Sequence, residues 1–97
     1  MDFNEQLILV RAVYNKLRSE YYSSDFRKKL VIVSAYNPQW YKNQVNILIN
    51  ITAVIENSLL RGNPSRSTRY LVLMRCHMKK LFNQVEEDIN IVLKDIL

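Results

Sequence analysis

Residues 65–97 decide the fold, and they read SRSTRYLVLMRCHMKKLFNQVEEDINIVLKDIL. The stretch contains no Gly and no Pro, and apolar side chains return every three or four positions. At 100° per residue these side chains occupy one arc about 140° wide, which is typical of an amphipathic helix with one buried face. They are Tyr70, Leu71, Met74, Met78, Leu81, Phe82, Val85, Ile89, Val92 and Ile96. The pattern predicts one long helix from about Ser65 to Leu97.

Two shorter segments open the chain. From about Asp2 to Tyr22, apolar residues recur at alternating spacings of four and three, which predicts a first helix. A second segment, from about Asp25 to Tyr36, follows serine side chains whose oxygens suit a helix start. The β-branched run at 30–33 also suits a buried strand, but a single strand without a partner would leave its backbone unpaired. We therefore expect a helix there as well.

The third segment runs from Pro38 to about Leu60. Proline suits the first position of a helix, and the only glycine of the chain, Gly62, is suited to a left-handed cap after its end. Residues 45–51 alternate in polarity as a strand would, yet the length without Gly or Pro favours a helix. The sequence thus predicts an all-α, four-helix bundle-like single domain over residues 1–97, with long third and fourth helices.

Composition bounds the kind of protein. Of the 97 residues 48% are apolar, with one Gly and two Pro, which is typical of a folded chain. The single cysteine, Cys76, excludes an internal disulfide. The N-terminus is acidic and no apolar run reaches the ~18 residues of a membrane span. We expect a soluble intracellular protein, in the cytoplasm or the nucleus.

Positive charge is concentrated in one part of the chain. Between Glu56 and Glu86 there are six basic residues and no acidic one, whereas the rest of the chain holds eight basic and nine acidic residues. The six are Arg61, Arg66, Arg69, Arg75, Lys79 and Lys80. Such a field attracts phosphates, anionic lipid headgroups or an acidic protein surface.

The charges of the fourth helix are ordered along its length and around it. Arg66, Arg69, His77 and Lys80 fall within about 80° of each other, whereas the remaining cations lie across the helix. The basic half precedes the acidic half, which is the reverse of what the helix macrodipole favours. Two interpretations explain this order: the basic half binds a partner, or the helix pairs antiparallel with a copy of itself.

Residues that carry chemistry are few. Cys76 and His77 are adjacent and so point about 100° apart on a helix, which is poor geometry for a nucleophile and its base. The carboxylates at 86–88 are consecutive and splay around the helix, and one glycine cannot build a phosphate-binding loop. We expect neither enzymatic activity nor a cofactor nor a bound metal.

Aromatic residues give a second indication of a binding surface. Trp40 and Tyr41 follow Pro38 at the start of the third helix, and exposed Trp and Tyr are favoured at protein interfaces. The alternative is that both rings close one end of the bundle.

The sequence therefore predicts a non-enzymatic helical interaction or assembly module that binds a protein partner or a second copy of itself. The predicted binding residues are Arg61, Arg66, Arg69, His77 and Lys80 for the basic face, and Trp40 and Tyr41 for the aromatic surface. The first alternative is a nucleic-acid-binding protein that contacts phosphates through residues 61–80, and the second is association with an anionic membrane surface.

Overall fold

The computed structural model describes all residues, 1–97, and it consists of four α-helices joined by short turns. They are α1 (Phe3–Tyr21), α2 (Ser24–Ser34), α3 (Pro38–Leu60) and α4 (Pro64–Ile96). The predicted all-α, four-helix bundle-like fold with long third and fourth helices is confirmed. The segments that also suited a strand are helical, since residues 30–33 lie in α2 and residues 45–51 lie in α3.

Each helix start has a local cause. The side chains of Asp2, Ser23 and Asn63 each accept a hydrogen bond from a free N–H group in the first turn of α1, α2 and α4, at 2.8, 3.3 and 3.0 Å. Pro38 and Pro64 stand in the first turns of α3 and α4, where a missing N–H costs nothing.

The turn between α3 and α4 depends on Gly62. Its φ of +64° is left-handed, and its N–H donates to the Leu59 carbonyl at 3.1 Å. The N–H of Asn63 donates to the Ser58 carbonyl at 2.9 Å, which completes a Schellman motif. This tight end sends α4 back along α3, so the two long helices form an antiparallel hairpin.

The first two helices follow one another along α4. The side chains of Phe3 and Leu7 lie beside Gly62, which places the start of α1 at the α3–α4 turn. Farther along, the rings of Phe26 and Phe82 are 4.1 Å apart, and the Nζ of Lys29 contacts a Glu86 carboxylate oxygen at 2.8 Å. α1 therefore covers the N-terminal half of α4 and α2 its C-terminal half, which gives an elongated molecule of 55 × 20 × 17 Å.

One hydrophobic core connects the four helices. Its residues on α4 all belong to the predicted arc, and Leu48, Ile55, Leu81 and Val85 are almost inaccessible. Ile96, the last residue of that arc, is instead exposed, because it lies at the end of α4 where no neighbouring helix covers it. No helix combines the length and the apolar character needed to cross a lipid bilayer.

Candidate functional site

The predicted basic face exists as an exposed surface of α4. Arg66, Arg69 and Lys80 are exposed, His77 is half-buried on the same side, and Arg61 is exposed in the turn that leads into the helix. The guanidinium of Arg66 lies over the ring of Tyr70, with its carbon 5.9 Å from the ring centroid. Because Arg61 lies outside the helix, the name basic face is kept below for Arg66, Arg69, His77 and Lys80.

None of the basic residues between 61 and 80 forms an ion pair. The structure contains two ion pairs, and both involve Lys29, with Asp25 at 3.3 Å and with Glu86 at 2.8 Å. The hydrogen bonds to these carboxylates raise the pKa of Lys29 above its ordinary value, chiefly through Glu86. The positive charge of α4 is thus not neutralised within the molecule, so it is free to meet an anionic group from outside.

The two cations predicted to lie across the helix belong to a different surface. Arg75 lines a groove between α1 and α4, and Lys79 lies one turn farther along α4. The groove has a volume of about 600 Å³, and its walls are mainly apolar, with Leu9, Val13 and Val72 exposed in it at 51%, 42% and 59%. The charged side chains that line it are Lys16, Glu20 and Arg75. We call this the α1–α4 groove.

The predicted aromatic surface is wrong for Tyr41. This side chain is 1% exposed, and its hydroxyl donates to an Asp88 carboxylate oxygen at 2.5 Å. The second Asp88 oxygen accepts from Gln84 at 3.1 Å, so the buried carboxylate has two donors. Burial and the bond to Asp88 raise the pKa of Tyr41 above its usual range. Trp40 is half-buried and meets the Tyr41 ring edge-on at 4.9 Å, so the two rings help to close the α2 end of the bundle.

A second tyrosine–carboxylate pair joins α1 to α3. The Tyr14 hydroxyl donates to Glu56 at 2.7 Å, and burial together with this bond raises the pKa of Tyr14 above its usual range. Tyr14 is 4% exposed, whereas Glu56 lies at the surface. Both pairs hold helices together, and neither lies in the groove or on the basic face.

The residues considered for chemistry are separated. Cys76 is exposed, and His77 next to it turns partly toward the protein, with its Nδ1 buried and without a hydrogen-bond partner. No three residues of the types His, Cys, Asp and Glu come close enough to hold a metal ion. The exposed surfaces of α4 present positive charge and apolar area.

Sequence reasoning missed the apolar residues that stand outside the core. Val72 belongs to the groove, and Leu73 and Ile91, at 42% and 41% exposure, lie on the outer side of α4. The sequence indicated their exposure, because the helical positions of all three fall outside the 140° arc of the core stripe. The groove itself needed the structure, since it depends on α1 lying beside the first half of α4.

Comparison with known protein families, with characterised proteins and with solved structures gives no match.

Proposed function

We propose that this protein is a non-enzymatic helical interaction and assembly module that binds protein through the surfaces of α4. One observation carries the proposal: α4 exposes apolar side chains directly beside cations that form no ion pair within the molecule. Val72 lies near Arg75 in the α1–α4 groove, and Leu73 lies within the basic face. Apolar area flanked by unpaired charge is the composition of a protein interface, in which the apolar part supplies affinity and the charges supply specificity.

The groove offers an apolar surface to one face of a short helical segment of a partner. Its apolar residues on α1 extend from Leu9 to Leu17, and its lining on α4 extends from Thr68 to Arg75, each about two helical turns. An amphipathic helix in such a groove would present apolar side chains at spacings of three and four.

A random-peptide display selection on the immobilised protein tests the proposal. We expect enriched peptides whose binding is abolished by Val13→Asp together with Val72→Asp. Ile8→Asp is the matched control, because Ile8 is 69% exposed on α1 but does not line the groove. The proposal fails if no peptide is enriched and the protein also shows no self-association, or if every enriched peptide binds equally well when the groove and the basic face are changed.

Nucleic-acid binding is the second candidate, and the observation that favours it is the absence of ion pairs along residues 61–80. Contacts between free cations and phosphates release counterions, so binding should weaken steeply with salt. Affinity for duplex DNA should fall when Arg66, Arg69 and Lys80 are all changed to Ala. The matched control changes three exposed lysines outside this stretch, Lys16, Lys28 and Lys42, to Ala. Equal losses in the two triple variants would indicate attraction by net charge alone and would remove this candidate.

A further inference from the structure

The outer side of α4 carries a second, narrower stripe that the core does not use. Leu73 and Ile91 are separated by about five complete helical turns, so they point in the same direction about 27 Å apart. Both are exposed to nearly the same extent, at 42% and 41%. The basic face lies on the same side of the helix, toward its N-terminal end. Glu87 and Asp95 lie on this side toward the C-terminal end, and both are exposed.

This stripe is complementary to itself when its direction is reversed. Leu73 and Ile91 lie equally far on either side of Phe82, and so do His77 and Glu87. A two-fold axis across the outer side of α4 at the level of Phe82 brings Leu73 of one copy against Ile91 of the other. The same operation lays the basic half of each helix along the acidic half of its partner. A two-fold interface must be self-complementary in this way, since both copies contribute the same patch.

We infer that the outer side of α4 binds a second copy of this chain, with the two helices antiparallel and paired about the level of Phe82. The inference rests on the proposed function, because it names the protein that the basic face binds. It also gives a reason for the charge order of α4, which the macrodipole does not favour.

The charged residues of α3, the helix packed against α4, do not oppose this pairing. The charged residues of α3 are Lys42 and Glu56, and Glu56 accepts a hydrogen bond from Tyr14 of α1. The α1–α4 groove stays open, because Val72 and Arg75 point away from the stripe. The dimer therefore leaves the groove free for another partner.

Two charge-reversed variants test the electrostatic part of the inference. One carries Arg66→Glu, Arg69→Glu and Lys80→Glu, and the other carries Glu87→Lys and Asp95→Lys. Sedimentation equilibrium at low salt should show a dimer for the wild type and self-association at least about tenfold weaker for each variant alone. A 1:1 mixture of the two variants should restore the dimer. Arg11→Glu, Lys28→Glu and Lys79→Glu together reverse three exposed cations that lie off the stripe and do not line the groove, and this matched control should leave the wild-type dimer unchanged.

Cross-linking tests the register independently of charge. In a Cys76→Ser background, Leu73→Cys together with Ile91→Cys should give a covalent dimer with oxidised glutathione. Leu73→Cys alone and Ile91→Cys alone each keep one thiol on the stripe but place it opposite a side chain without a thiol, so neither dimer should become covalent under the same conditions.

Three outcomes would overturn the inference. The inference is wrong if the wild type is a monomer at every concentration, if the mixed variants do not pair, or if the dimer persists in both charge-reversed proteins. Monomeric protein that takes up duplex DNA through the same cations would instead favour the nucleic-acid candidate. Groove-dependent peptide binding in a monomeric protein would retain the proposed function while removing this inference.

Discussion

The inner face of α4 contains one carboxylate, Asp88, and it receives hydrogen bonds from Tyr41 and Gln84. The outer surfaces of the same helix contain Arg66, Arg69, Arg75, Lys79 and Lys80, and none of these forms an ion pair. Buried charge without partners is costly, whereas exposed charge is hydrated and contributes little to folding. The inner face therefore serves stability, and the cations outside are available for binding.

The largest expected effect is the loss of packing on the inner face. Leu81 is 0% exposed, so Leu81→Ala should lower the free energy of unfolding by about 2–5 kcal/mol. Val72→Ala, on the groove side of the same helix, should change it by no more than about 0.5 kcal/mol. Urea denaturation of both variants measures the difference. Similar losses in the two would show that the groove is packed more tightly than its exposure indicates.

The next largest expected effect is the loss of stability when the hydrogen bond in one of the two tyrosine–carboxylate pairs is removed. Tyr41→Phe leaves buried Asp88 with Gln84 as its one donor, and this should cost about 1–3 kcal/mol. Tyr14→Phe should cost less, about 0.5–1.5 kcal/mol, because Glu56 is exposed and water replaces the lost donor. Urea denaturation at neutral pH gives both values. The reverse order would mean that water reaches Asp88 more readily than Glu56.

The same pairs predict a loss of stability in alkali. The pKa values of Tyr14 and Tyr41 are raised in the folded protein, so above about pH 10 the unfolded chain loses phenol protons that the folded chain keeps. The stabilisation is complete below the unfolded pKa and is lost as pH rises toward the folded one. Each phenol should steepen the decline by at most about 1.4 kcal/mol per pH unit.

Thermal unfolding between pH 9 and 11 measures this decline. Tyr41→Phe should make the dependence on pH shallower than in the wild type, and Tyr36→Phe, at an exposed position, is the control. An unchanged slope in Tyr41→Phe would mean that the pair titrates alike in both states.

Sequence reasoning succeeded where periodicity decides structure, and it failed where two elements meet. The apolar arc of α4 and the cap at Gly62 follow from local pattern, and the structure contains both. Tyr41 was misplaced because exposure at a helix start depends on what lies opposite, here Asp88 on α4. The α1–α4 groove could not be predicted, since no pattern within α1 specifies which half of α4 it covers.

The smallest expected effect has the opposite sign to the others. Arg66 stands in the first turn of α4, where a positive charge opposes the macrodipole and a carboxylate is favoured. Arg66→Glu should therefore raise the free energy of unfolding by about 0.3–1 kcal/mol at low salt, while the proposed binding through the basic face should weaken. Arg66→Gln separates removal of the cation from addition of the anion. Thermal unfolding at low and high salt measures the gain, which should shrink with salt because exposed charges are screened. A variant that folds more stably and binds less well would show that Arg66 serves binding and not the fold. A variant that folds less stably would assign Arg66 a structural role, through its contact with the Tyr70 ring.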